Sequence, residues 1–199
     1  GAAARVTEYE VWNDRQRQLD TSRHRPRPQG TETPYEKYEE QPMSIMGGAD
    51  QLPLHKYQLE GINWLRSCWH RGLNVMLADE MGLGKTVQTV GLVAALHAEY
   101  TRGPFLVCVP LSTVPNWDRE FRRWAPQLNC VTYCGSKEAR QQCRDLDFHF
   151  AQDVHNPGAK NGSAPLKLHV LISSYEIVLA DQLVLRKVGG EAHPHPDPD

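Results

Sequence analysis

The sequence predicts an α/β fold built on a parallel sheet with helices on both faces. Three observations carry this expectation. Short, near-continuous apolar runs alternate with longer segments of helical spacing, the pattern of strands buried on both sides. One apolar run leads directly into a glycine-rich turn and then a helix, Asp79-Glu-Met-Gly-Leu-Gly-Lys-Thr86. The 199 residues are 40% hydrophobic and 23% charged, which suits one buried core of ordinary domain size.

Residues 1–50 are poor in aliphatic side chains. Arg15, Arg17, Arg23, Arg25 and Arg27 cluster with Pro26 and Pro28, and Pro34, Pro42 and Gly47-Gly48 follow. This composition predicts a short helix over 9–19 and then a flexible linker. The arginines suit phosphate contacts. They suit a solvated run at least as well, because Glu32, Glu36, Glu39 and Glu40 follow.

Residues 51–187 predict the folded lobe. Ile62, Leu65 and Trp69 recur at helical spacing over 54–70. The apolar run 73–78 predicts a first strand, and a helix follows over 85–100. Residues 105–109 predict a second strand. A helix over 112–125 presents Trp117, Phe121 and Trp124 on one face, a core stripe rather than a stacking platform. Residues 131–133 predict a third strand and 137–146 a polar helix. A loop with Pro157, Gly158, Gly162 and Pro165 precedes a fourth strand over 168–172 and a helix over 175–185. Residues 188–199 form a low-complexity, proline-rich tail.

The bulk numbers exclude some classes. A formal net charge of -2 gives no whole-chain argument for nucleic acid, so any such surface is a local patch. No apolar run approaches the ~20 residues of a membrane span, and residues 1–5 carry no signal-peptide core. The missing initiator methionine suits a processed or partial sequence. Five cysteines, an odd number, suit a reducing compartment better than a disulfide framework.

The strongest chemical signal is the turn over 79–86. Gly82 and Gly84 allow a tight backbone bend that turns N–H groups toward an anion. The helix that follows aims its free N–H groups and positive dipole end at the same spot. Lys85 supplies a point charge for β- and γ-phosphates, and Thr86 a hydroxyl for Mg²⁺. The general phosphate-loop pattern G-x-x-x-x-G-K-[ST] has glycine first, where this chain has Asp79. A chance glycine-rich helix start is the weaker alternative, given the strand–loop–helix context.

The segment Ala78-Asp-Glu-Met-Gly-Leu-Gly-Lys-Thr-Val-Gln88 resembles the nucleotide loop of the SNF-type remodelling ATPases, in which an acidic first residue is normal. Upstream, Leu54-His-Lys-Tyr-Gln-Leu-Glu-Gly-Ile-Asn-Trp-Leu65 is similar to that family's glutamine motif. Downstream, Val109-Pro-Leu-Ser-Thr-Val-Pro-Asn-Trp117 and Val170-Leu-Ile-Ser-Ser-Tyr-Glu176 resemble its DNA-path motifs. Within the family the likeness is to the Mi-type subgroup of chromodomain-helicase-DNA-binding proteins. Tyr38-Glu-Glu-Gln-Pro42 and Gly47-Gly48 resemble the linker before the motor, and Trp12-Asn-Asp-Arg15 the closing helix of a chromodomain. The resemblance spans residues 31–183.

The resemblance implies a RecA-like (P-loop) sheet, part of a first helicase lobe, in a nuclear protein that moves along double-stranded DNA and shifts nucleosomes together with remodelling-complex subunits. It implies ATP and Mg²⁺ as ligands. Gln58 would read the adenine edge with Tyr57 nearby. Asp79, Glu80, Met81, Gly82, Leu83, Gly84, Lys85 and Thr86 would form the nucleotide cradle, with Thr86 on the nucleotide's Mg²⁺. It also gives a DNA role to Ser112, Thr113, Asn116, Ser173, Ser174 and Tyr175. Without the resemblance, the Ser, Thr and Asn residues suit helix capping equally well.

Hydrolysis also needs a metal carboxylate, a group to orient water and an arginine. The family takes these from an Asp-Glu-Ala-His box and a second lobe. Gly190-Glu-Ala-His193 echoes the box, with Gly190 at the metal-binding position, and residues 186–199 read as a divergent or truncated end. We therefore expect no catalytic residue and no turnover in this chain. The competing reading is a non-catalytic interaction or DNA-binding fragment. Cys130, Cys134 and Cys143 lack a C-x2-C pair and a fourth zinc ligand, and His193, His195 and Asp197 belong to the tail.

Overall fold

The computed structural model describes residues 36–47, 52–99, 103–148 and 166–188. The helix expected over 9–19, the loop expected over 151–165 and the tail from 189 lie outside the described residues.

Two long helices come first. Helix α1 spans Lys56–His70 and buries Ile62 and Leu65 of the predicted stripe; Cys68 is buried beside them, whereas the predicted Trp69 is only half-buried. Helix α2 spans Lys85–Glu99 and buries Val90, Val93, Ala94, Ala95 and Leu96 against it. Strand β1 (Phe105–Cys108) runs through a 3₁₀ turn, Leu111–Thr113, into helix α3 (Val114–Trp124). Strand β2 (Cys130–Tyr133) leads to helix α4 (Lys137–Cys143), whose N-terminus is capped by Ser136 Oγ accepting from the Ala139 N–H at 3.3 Å. Strand β3 (Val170–Ser173) leads to α5 (Tyr175–Ala180) and α6 (Gln182–Leu185).

The three strands are parallel, in the order β1-β3-β2. Parallel neighbours need crossover helices, and α3 and α4 supply them. Alternate residues of β3 divide the core in two. Val170 and Ile172 join Val107, Phe121, Trp124, Ile62 and Val90 on the face covered by α1, α2 and α3. Leu171 joins Val131, Tyr133 and Phe148 on the other face, with Cys143, Ile177 and Leu185 packed around them. The expected sheet with helices on both faces is therefore present. The stripe Trp117, Phe121, Trp124 also packs into the core.

Four local expectations are revised. Residues 73–78 form no strand: they pair with no other strand among the described residues, and all but the half-buried Leu77 are exposed, Met76 at 84%. An apolar run becomes a strand only where a neighbouring ladder takes its N–H and C=O groups, and the described sheet stops at β1. On that flank Leu106 is also 54% exposed. The polar helix stops at Cys143 and continues as a π turn, Arg144–Phe148, that carries Phe148 into the second core. The last helix breaks at Asp181, which leaves helical geometry at φ -106°, ψ 16°.

The fourth revision concerns the linker. Residues 36–47 are a strap packed on the lobe. The Tyr38 N–H donates to Asn63 Oδ1 at 2.9 Å, and Asn63 Nδ2 donates back to Tyr38 O at 2.9 Å. Ile45 is 1% exposed, inside the first core. The Met46 N–H donates to Trp124 O at 2.8 Å. Arg66 of α1 lies 3.5 Å from the Tyr38 ring centroid and bonds both carboxylate oxygens of Glu99 on α2 at 2.7 Å. Charge and proline content suggest a solvated linker, whereas one isoleucine and a reciprocal amide pair suffice to dock it.

Candidate functional site

The glycine-rich turn lies between the exposed run 73–78 and the first turn of α2. Gly82 and Gly84 take φ of +90° and +78°, values that side chains with a Cβ adopt only with strain. The helix ladder begins at once, with the Gln88 N–H on Gly84 O at 3.0 Å. A Cβ placed on Gly82 meets nothing within 4 Å, so open space lies before the turn. The first N–H groups of α2 have no intrahelical acceptor, as in any helix, and they face an anion-compatible mouth.

Lys85 opens α2. Its ammonium donates to Asp79 O at 2.7 Å and to Glu80 O at 2.8 Å, in an exposed setting. Both acceptors are neutral carbonyls, and a charge-assisted bond to phosphate is stronger than either. The Lys85 amine is thus held close to the turn by bonds that an anion can replace. Thr86 is half-buried at the next helical position, and Met81 and Leu83 are exposed.

Gln58 lies in the first turn of α1 and is buried. Its Oε1 accepts from the His55 N–H at 3.0 Å, and its Nε2 donates to Leu83 O at 3.4 Å. A Cβ on Gly84 would stand 2.3 Å from Gln58 Nε2, so the glycine also makes room for this amide. Tyr57 is exposed and stacks on His55, with ring centroids 5.4 Å apart. The fold thus brings Gln58, distant in sequence, up to the loop at Leu83 and Gly84, next to Lys85 and Thr86.

Gln88 belongs to the loop motif, yet sequence reasoning gives it no role. Its side chain is fully buried, and its Nε2 donates to Asp79 Oδ2 at 2.9 Å. A polar residue on the inner face of an otherwise apolar helix is the available signal.

The six residues assigned to DNA cluster at one end of the sheet. β1 and β3 are in register from Phe105↔Val170 to Cys108↔Ser173, so the turns that follow them emerge side by side. Ser112 and Asn116 are exposed. Asn116 Oδ1 accepts from Arg119 at 3.2 Å, and Thr113 Oγ1 donates to Pro110 O at 2.7 Å. Ser173 and Ser174 are buried, and Ser173 Oγ donates to Tyr133 O at 2.6 Å. Tyr175, at 67% exposure, is the outward group of the second turn. Neither Thr113 nor Ser174 caps its helix through the side chain.

The described residues hold no group of three metal-ligating side chains. Among them, no helix is long and apolar enough to cross a membrane. Burial pushes the Cys130 thiol up to about 12, with Asp118 adding to the effect, and the Cys143 thiol up to about 11, with Asp147 adding. Both are half-buried and pack against a core cluster, Cys130 on the first and Cys143 on the second.

Comparison with known proteins gives this geometry its context. The family model described as SNF2-related domain matches residues 57–193, more than half of the chain. The match crosses Gly190-Glu-Ala-His193 and most of the segment expected to be divergent, which lies largely outside the described residues. The chain is 46% identical over 159 residues to the chromodomain-helicase-DNA-binding protein 3 homolog of Caenorhabditis elegans, covering 76% of this chain and 9% of that protein. It is 47% identical over 153 residues to the protein CHROMATIN REMODELING 4 of Arabidopsis thaliana, covering 76% of this chain and 7% of that protein. The chain thus spans less than a tenth of these relatives. A solved Sulfolobus solfataricus SWI2/SNF2 ATPase core in complex with dsDNA superposes with a TM-score of 0.53 at 27% identity, covering 74% of this chain and 25% of that one. The fold is the expected RecA-like partial lobe.

Proposed function

This chain belongs to the SNF2-related domain family, and within it we propose that the chain is the nucleotide-holding front of the first motor lobe of a chromatin remodeller of the chromodomain-helicase-DNA-binding type. The observation that carries the reading is the open turn at the mouth of α2, with Lys85 resting on replaceable carbonyls and open space before Gly82. In this reading the amides around Gly82 and Gly84 and the Lys85 ammonium hold the phosphates of ATP. Thr86 contributes a hydroxyl to the bound Mg²⁺, and the Gln58 amide selects adenine. Mg²⁺ supplies charge neutralisation along the phosphate chain.

The turns after β1 and β3 present Ser112, Asn116 and Tyr175 toward one strand of a DNA duplex. Such groups position a backbone without reading sequence. The dsDNA named for the Sulfolobus core supports this assignment. In the complete protein the motor couples ATP turnover to movement along DNA and shifts nucleosomes in the nucleus, beside subunits of a remodelling complex. The 199 residues alone bind ATP weakly and do not turn it over: in Gly190-Glu-Ala-His193, the echo of the family's box, glycine stands where the resemblance puts the metal-binding aspartate.

The test is titration of a fluorescent ATP analogue with and without Mg²⁺. We expect saturable, Mg²⁺-dependent binding that Lys85→Ala removes, with no steady phosphate release. Binding that is absent, or equal in Lys85→Ala, overturns the nucleotide reading. Steady release that depends on Lys85 overturns the claim of no turnover.

A further inference from the structure

We propose that Gln88, seated in a notch opened by Gly61, is the positioning residue that makes an acidic first residue workable in the phosphate loop. The inference rests on the nucleotide reading of that loop and concerns how the loop is held in shape.

The geometry is a relay across two helices. An ideal Cβ on Gly61 of α1 would stand 1.9 Å from Gln88 Oε1, so the glutamine amide fits only because position 61 has no side chain. The fully buried Gln88 reaches from the first turn of α2 back to the loop entrance, where Nε2 holds Asp79 Oδ2 at 2.9 Å. Asp79 in turn presents its carbonyl to the Lys85 ammonium at 2.7 Å. Gly61, Gln88, Asp79 and Lys85 thus form one chain of contacts that ends on the loop's cation.

Physical chemistry gives the relay a purpose. A carboxylate at the entrance of a triphosphate cradle repels its ligand unless its charge is turned aside. Glycine at that position avoids the problem but leaves the loop start loose, since glycine loses the most conformational freedom on ordering. A buried amide that grips the carboxylate fixes the loop start and directs the charge into the helix body. The cost is visible: Gln88 Oε1 is buried with no hydrogen-bond partner, an expensive arrangement for a side chain with only a packing role.

Three variants of this chain test the relay, each read in two ways. The first readout is loop order without nucleotide, from hydrogen exchange and NMR relaxation of the amides at 80–84. The second is affinity for Mg²⁺-ATP. Gly61→Ala places a methyl against the end of a flexible side chain and favours helix, so it keeps the fold and moves the amide. Gln88→Leu removes the donor at similar volume. We expect both to loosen the loop and to weaken Mg²⁺-ATP binding roughly tenfold, the effect of one lost bond to a charged group.

Gln88→Glu adds a pH signature. In this variant a neutral carboxyl at position 88 donates to Asp79, and an ionised one repels it. The variant therefore matches wild type at acidic pH and loses loop order as pH rises. A folded Gly61→Ala with unchanged loop order overturns the proposal, as does a pH-independent Gln88→Glu. If wild type fails to bind Mg²⁺-ATP, the nucleotide reading falls separately, and the loop-order measurements still decide the role of Gln88.

Discussion

The Tyr133 hydroxyl donates to Asp181 Oδ2 at 2.6 Å, tying the end of β2 to the break between α5 and α6. Burial holds the phenol above its ordinary pKa range, so it remains the donor. Arg140 joins from α4, its Nε 2.7 Å from the same carboxylate oxygen, and Arg144 bonds the Tyr133 hydroxyl. One carboxylate therefore collects contacts from α4, the π turn and β2, and this explains why a helix predicted as continuous stops at Asp181.

The Asp181 carboxyl is held below its usual range, chiefly by the hydrogen bond from Arg140 and then by that from Tyr133. A depressed folded pKa stabilises the fold above the unfolded value of about 4, and this contribution fades as pH falls through the lower folded value. We expect Asp181→Asn to cost about 2 kcal/mol at pH 7. Thermal melts at pH 7 and near pH 3 check this: the gap between wild type and variant should narrow in acid. A gap of equal size at both pH values is the contrary result.

The strap gives a second expectation. Ile45→Ala removes a side chain that is 1% exposed from the first core and should cost roughly 2–4 kcal/mol. Arg66→Met leaves Glu99 without its bidentate partner, and breaking such a pair costs roughly 3 kcal/mol. Denaturant unfolding measures both. If residues 36–47 were only a linker, Ile45→Ala would leave the midpoint unchanged.

The cysteines give a third. Cys108 is exposed, whereas burial has pushed the Cys130 thiol up to about 12. The thiolate is the reactive form, so a thiol reagent at pH 8 should label Cys108 first and Cys130 only on unfolding. Mass mapping of a partial labelling reaction distinguishes them, and early label on Cys130 in the folded chain would contradict the packing described for β2.

The sequence made the chemistry more legible than the boundaries. The glycine pair and lysine at 82–85 can be read because their conformations and charge follow from residue type alone. The core stripe Trp117, Phe121, Trp124 is equally legible, since helical spacing fixes which side chains share a face. Features set by distant partners are not. Residues 73–78 have the composition of a strand, but a strand needs a neighbour, and composition carries no record of one. Gln88 looks like any polar residue early in a helix until Gly61 and Asp79 are seen on either side of it. Ser173 and Ser174 read as DNA-facing or helix-capping hydroxyls, yet the close of β3 turns them inward and leaves Tyr175 outside.

The docked strap also orders events during synthesis. Gln127 Nε2 donates to Ser44 O across 83 residues of chain, and the Met46 N–H waits for the carbonyl of Trp124. At roughly 5–20 residues per second, a ribosome takes about 4–16 s to supply the later partner. Ile45 meets Ile62 and Gly91, which are made much earlier, so the strap's apolar anchor can seat on α1 and α2 first and its two polar ties close only once α3 has been made.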